Sequence, residues 1–97
     1  MLLIPGDIFF RQYSSLASDL VELTRIRPHR YYWLFLASWS KDDLGPGYES
    51  TYTREEISTL HQLKKVSLKD LILYSYLPYK SERYFALLER VNREQVH

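Results

Sequence analysis

The pattern of apolar and polar positions divides the chain near Thr53 into a strand-rich part and a helical part. "PGD" at Pro5 to Asp7 is turn chemistry, and the β-favouring residues of "IFFRQY" predict a strand starting at Asp7 or Ile8. Ser14 to Arg27 admits two readings. Tyr13, Leu16, Ala17, Leu20, Val21 and Thr24 fit one stripe of a helix capped by Ser14 or Ser15. Alternatively "SLASD" is a polar loop and "LVELTRIR" a strand with Val21 and Leu23 on one face, which suits the β-branched Val21, Thr24 and Ile26 better. Pro28 cannot donate to a sheet ladder and disfavours helix at Arg27, so "PHR" reads as a connection. "YYWLFLASW", Tyr31 to Trp39, is the clearest strand. Tyr31, Trp33, Phe35, Ala37 and Trp39 alternate with Tyr32, Leu34 and Leu36, so both faces are apolar. A strand of this kind is buried on two sides, and the second face of its sheet needs covering by helices or by a partner.

"SKDDLGPGYES" reads as an exposed loop, with "ESTYT" a short strand after it. "TREE" at Thr53 to Glu56 is a capping box opening a helix whose stripe is Ile57, Leu60, Leu63 and Lys64. "SLKD" at Ser67 to Asp70 caps a second helix, "LILYSYL", which Pro78 ends. That segment is apolar nearly all round, which places it deep in the fold or in a partner. Ser81 opens "ERYFALLERVNREQ", with Tyr84, Phe85, Leu88 and Val91 on one face and Glu82, Glu89, Arg90 and Arg93 on the other. The expected fold is α+β in one domain over 1–97: a small antiparallel β-barrel or sheet (1–52) followed by two to three C-terminal helices (53–97).

Composition narrows the function. With 97 residues, 45% hydrophobic and 26% charged, the chain has the make-up of one folded domain rather than a disordered segment. The net charge of +1 lacks the strong positive field of a dedicated nucleic-acid binder. The absence of cysteine excludes disulfides, thiolate chemistry and Cys-based zinc sites. No apolar run approaches the ~18 residues of a membrane span, so neither a span nor a signal peptide is expected and the chain reads as cytoplasmic, without a membrane partner. His29, His61 and His97 have no ligand spacing, and no nucleophile or phosphate-cradling motif occurs, "GPG" included. The pairs Asp42–Asp43 and Glu55–Glu56 are accounted for by a loop and a cap. No catalytic, cofactor-binding or metal-binding residue is assigned, and the expectation is a protein that is not an enzyme.

The segment "TRIRPHRYYW" stands out. Arg25, Arg27 and Arg30 could meet phosphates while Tyr31 or Tyr32 stacked on bases, the combination used on single strands. Arg and Tyr are equally the residue types enriched at protein-contact hot spots. A third reading is a solvated turn with aromatics pointing inward. The preferred assignment is a protein-contact site made of Arg25, Arg27, Arg30, Tyr31 and Tyr32, with nucleic acid and a homodimer as alternatives.

The order "DIFFRQYSSLASDLVELTRIRPHRYYWLFLAS", "YESTYTREEISTL", then helices resembles Tudor-like or SH3-like small barrels with a helical tail, and is similar in organisation to the cyanobacterial PipX family. The resemblance implies a regulator that binds other proteins in transcription control. It carries over no functional residues.

Overall fold

A computed structural model describes residues 3–14, 17–40, 49–53 and 63–95. Strands β1 (Ile8–Ser14), β2 (Ala17–Arg27), β3 (Arg30–Ser38) and β4 (Glu49–Thr53) follow one another, and β5 (Leu63–Val66) lies further on. They form an antiparallel sheet in the order β4-β3-β2-β1-β5. A 3-10 helix (Leu68–Tyr74), a short strand β6 (Tyr79–Lys80) and helix α1 (Glu82–Gln95) complete the described chain, so the fold is α+β. Of the two readings of Ser14 to Arg27, the strand is the one formed, running from Ala17.

Pairing with β1 and β3 carries β2 through its polar start, because a strand between two neighbours satisfies its backbone groups on both edges. Pro28 and His29 close the β2–β3 hairpin between the paired Arg27 and Arg30. His29 has φ 73°, and a proline followed by a positive φ is the type II turn pattern.

Both faces of the sheet are buried. On one, Ile8, Leu20, Leu36, Ala37 and Val66 pack under Leu71, Tyr74, Leu77, Tyr84 and Leu87 of the tail. On the other, Phe9, Val21, Leu23, Trp33 and Phe35 form a second cluster, with Phe9 and Trp33 edge to face at 5.6 Å. Within the second face sits Arg11, 1% exposed, which donates two hydrogen bonds to its cross-strand neighbour Asp19 at 2.7 and 2.8 Å.

The alternation of β3 holds from Tyr31 to Phe35 and then shifts. Phe35 pairs with Val21 but Ala37 pairs with Leu20, so Leu36 is an extra residue, a β-bulge. Ala37 therefore joins Leu36 on the tail side rather than continuing the face of Trp33 and Phe35. The displaced Leu36 carbonyl accepts hydrogen bonds from the Ser81 amide (2.9 Å) and the Ser81 hydroxyl (3.0 Å). The same hydroxyl oxygen accepts from the Tyr84 amide at 3.3 Å, which makes Ser81 the N-cap of α1.

Four expectations for the tail are corrected. Leu63 and Lys64 belong to strand β5, not to a helix, because the free edge of β1 captures them; the capping box beyond Thr53 and the stripe at Ile57 and Leu60 lie outside the described residues. "LILYSYL" is not buried all round. Its helix is 3-10, with three residues per turn, so Leu71 and Tyr74 face the sheet while Ile72 and Leu73 are 58% and 65% exposed; in the turn that follows, Leu77 is buried and Tyr76 is 56% exposed. On α1 the buried stripe is Tyr84, Leu87 and Val91; Phe85 is exposed and Leu88 only partly buried. Ser67 does precede the 3-10 helix, but its hydroxyl donates to the Asp70 carboxylate at 2.9 Å and does not accept from a helix amide.

The Tyr84 hydroxyl donates to the Leu71 carbonyl at 2.9 Å, joining α1 to the 3-10 helix. Burial raises the Tyr84 pKa above the ordinary phenol value of 10.0, and raises that of Tyr74, where Tyr76 and Asp70 add to the effect. Both phenols are thus held neutral by the fold. Their contribution to stability is intact below pH 10 and declines as the pH rises through the raised values. Tyr84→Phe should cost about 1 kcal/mol in urea denaturation at neutral pH. It should also remove one late-ionising tyrosine from an alkaline absorbance titration.

Candidate functional site

The β2–β3 hairpin brings four of the five sequence-predicted residues onto one face. Arg25 pairs with Tyr32, Arg27 with Arg30, and Tyr32 in turn with Thr51 of β4. Thr24 is the bulged residue that sets this register, and its hydroxyl donates to the Tyr32 carbonyl at 3.1 Å. Because side chains alternate along a strand, Arg25, Arg27, Arg30, Tyr32 and Thr51 share the face that farther along is covered by the tail. The Glu22–Arg83 ion pair, 3.0 Å between Oε1 and Nε, marks the border of that cover. Tyr31 faces the other way and packs with Ile26 against the Trp33 cluster. The pair Tyr31 and Tyr32, both half-buried, is thereby split between the two faces of the sheet.

Electrostatics and stacking shape this face. The Arg25 guanidinium carbon lies 3.9 Å from the centroid of the Tyr32 ring, a cation–π contact worth about 0.5–1 kcal/mol at an exposed site. The Arg30 Nη1 donates to the Thr51 hydroxyl at 3.3 Å, which leans the guanidinium over β4. Arg27 and Arg30 are exposed and directly opposite one another, and among the described residues neither has a carboxylate within ion-pair distance. Like charges in cross-strand register destabilise a hairpin. The two arginines therefore work against the isolated fold.

Comparison with protein-family models, curated proteins and solved structures gives no match. The site stands on its own geometry.

The apolar segment "LILYSYL", expected deep in the fold or in a partner, presents part of its side chains outward beside other exposed apolar residues. Trp39, Ile72, Leu73, Tyr76, Tyr79 and Phe85 are exposed, and Trp39 reaches Tyr76 at 6.4 Å between ring centroids. The signal for this was present in the three-residue spacing of Leu71, Tyr74 and Leu77, which leaves the residues between them outside. A cleft of about 360 Å³ also opens beside α1, lined among others by Asp7, Glu22, Lys65, Ser67, Arg83 and Arg90. Its charges are already partnered: Lys65 Nζ is 3.3 Å from Asp7, Arg83 holds Glu22, and Arg90 holds Glu94. Among the described residues no group of three His, Asp or Glu side chains gathers as a metal site, and no helix is long and apolar enough to cross a membrane.

Proposed function

We propose that this protein is a small non-enzymatic regulator or adaptor that acts in the cytoplasm by binding another protein through the β2–β3 hairpin face. The observation that carries the reading is the gathering of Arg25, Arg27, Arg30 and Tyr32 on one exposed face, with two arginines opposed at a cost to the hairpin. A local rule broken at a cost to the fold is a mark of a functional site. The consecutive antiparallel strands, the bulges in the β2–β3 pairing and the core on each face of the sheet support a Tudor-like or SH3-like small barrel. The organisational resemblance points to transcription regulation as the process.

The nucleic-acid alternative loses support on this face. Tyr31 is turned into the core and one side of the Tyr32 ring is taken by Arg25, so the two tyrosines do not offer open faces for bases. An affinity pull-down at two salt concentrations, with and without nuclease, is the test. A nuclease-resistant protein partner that is lost from Arg27→Glu is expected, and capture only of nuclease-sensitive material would overturn the reading.

The exposed apolar residues of the tail favour a second reading, self-association through Trp39, Tyr76 and the outer face of the 3-10 helix. Sedimentation over a concentration series should then show a dimer that Leu73→Asp dissociates; a monomer at every concentration sinks it.

A further inference from the structure

We infer that the occupant of the hairpin face is an acidic segment of the partner protein, with carboxylates at alternate positions of an extended chain. This rests on the docking function proposed above and specifies its chemistry. Arg25 and Arg27 occupy alternate positions of β2, about 7 Å apart along the strand. Carboxylates at alternate positions of an extended segment repeat at the same interval. Arg27 and Arg30 stand in cross-strand register at the hairpin tip, and carboxylates of one segment laid across the tip can accept charge-assisted hydrogen bonds from both. Arginine is suited to this, since its planar fork meets a carboxylate through two parallel N–H groups and keeps its charge at every physiological pH.

The surroundings favour a peptide over a nucleotide chain. Arg30 is already drawn over β4, the last strand of the sheet, by its bond to Thr51, so its fork reaches toward the side from which a segment would lie along the sheet. Three arginines within one hairpin tip suffice for a short acidic run. A nucleic-acid strand would need a longer basic track, and across the sheet border the next basic group, Arg83, is bound to Glu22.

The test is an amide-resolved NMR titration of the full chain with a short peptide carrying glutamate at alternate positions, its glutamine counterpart, and oligothymidylate. The glutamate peptide should shift Arg27, Arg30, Tyr32 and Thr51, with binding at least tenfold weaker in high salt and lost in Arg30→Glu. That variant places opposite charges across the hairpin, so its thermal midpoint should equal or exceed that of the parent, which separates lost binding from lost folding. Equal shifts with the glutamine peptide, tighter binding of oligothymidylate, or no shift at low salt would each overturn the inference. If Arg30→Glu loses its lysate partner while the glutamate peptide gives no shift, the acidic-segment inference fails and the docking function stands. If neither responds, both fail.

Discussion

Asp19→Ala is expected to cost about 3–5 kcal/mol, because it leaves the buried Arg11 guanidinium without its carboxylate. A domain of this size has about 5–15 kcal/mol of stability in total, so the variant should be partly unfolded at ordinary growth temperatures. Arg11 cannot turn to solvent, since it lies among Trp33 and Phe35, with its guanidinium carbon 5.2 Å from the Phe35 ring centroid. Urea denaturation followed by tryptophan fluorescence measures the loss. The paired replacement Arg11→Met with Asp19→Leu should recover most of it, because two apolar side chains leave no buried charge behind. A loss below about 1 kcal/mol for Asp19→Ala would mean that water reaches the guanidinium and the pair behaves as a surface one.

The second large effect is a contrast along the 3-10 helix. Leu71 is fully buried between the sheet and α1, and Leu71→Ala should cost about 2–5 kcal/mol through lost burial and the cavity left behind. Leu73, two positions on and 65% exposed, should lose less than about 0.5 kcal/mol as Leu73→Ala. Equal costs at the two positions would show that the outer side of the segment is covered within the chain itself. The comparison is made by chemical denaturation at low protein concentration, where association contributes least.

The same contrast shows where the sequence was legible and where it was not. Period-two patterning in "YYWLFLASW" and the turn at Pro28 set out β3 and its hairpin, since strand alternation and proline geometry are local properties. Ser81 announced α1 because an N-cap is likewise local. Tyr31 and Tyr32 could be told apart only through the Thr24 bulge, which fixes the face of everything toward the hairpin tip. The 3-10 helix was misread because a period of 3.0 and a period of 3.6 diverge by less than one residue over a single turn, too little to separate in a segment with apolar residues nearly throughout. β5 and the Arg11–Asp19 pair were invisible for a different reason. Each depends on which distant strand comes alongside, and "LKKV" or a lone arginine in "IFFRQY" carries no mark of its neighbour.

The junction at Leu36 makes the docking of the tail in this protein insensitive to the side chain at that position. Its sheet and tail are joined through a main-chain carbonyl that accepts both hydrogen bonds from Ser81. Substitution of the Leu36 side chain alters packing but leaves that acceptor in place, so the Ser81 anchor at the start of α1 does not depend on which residue stands at 36.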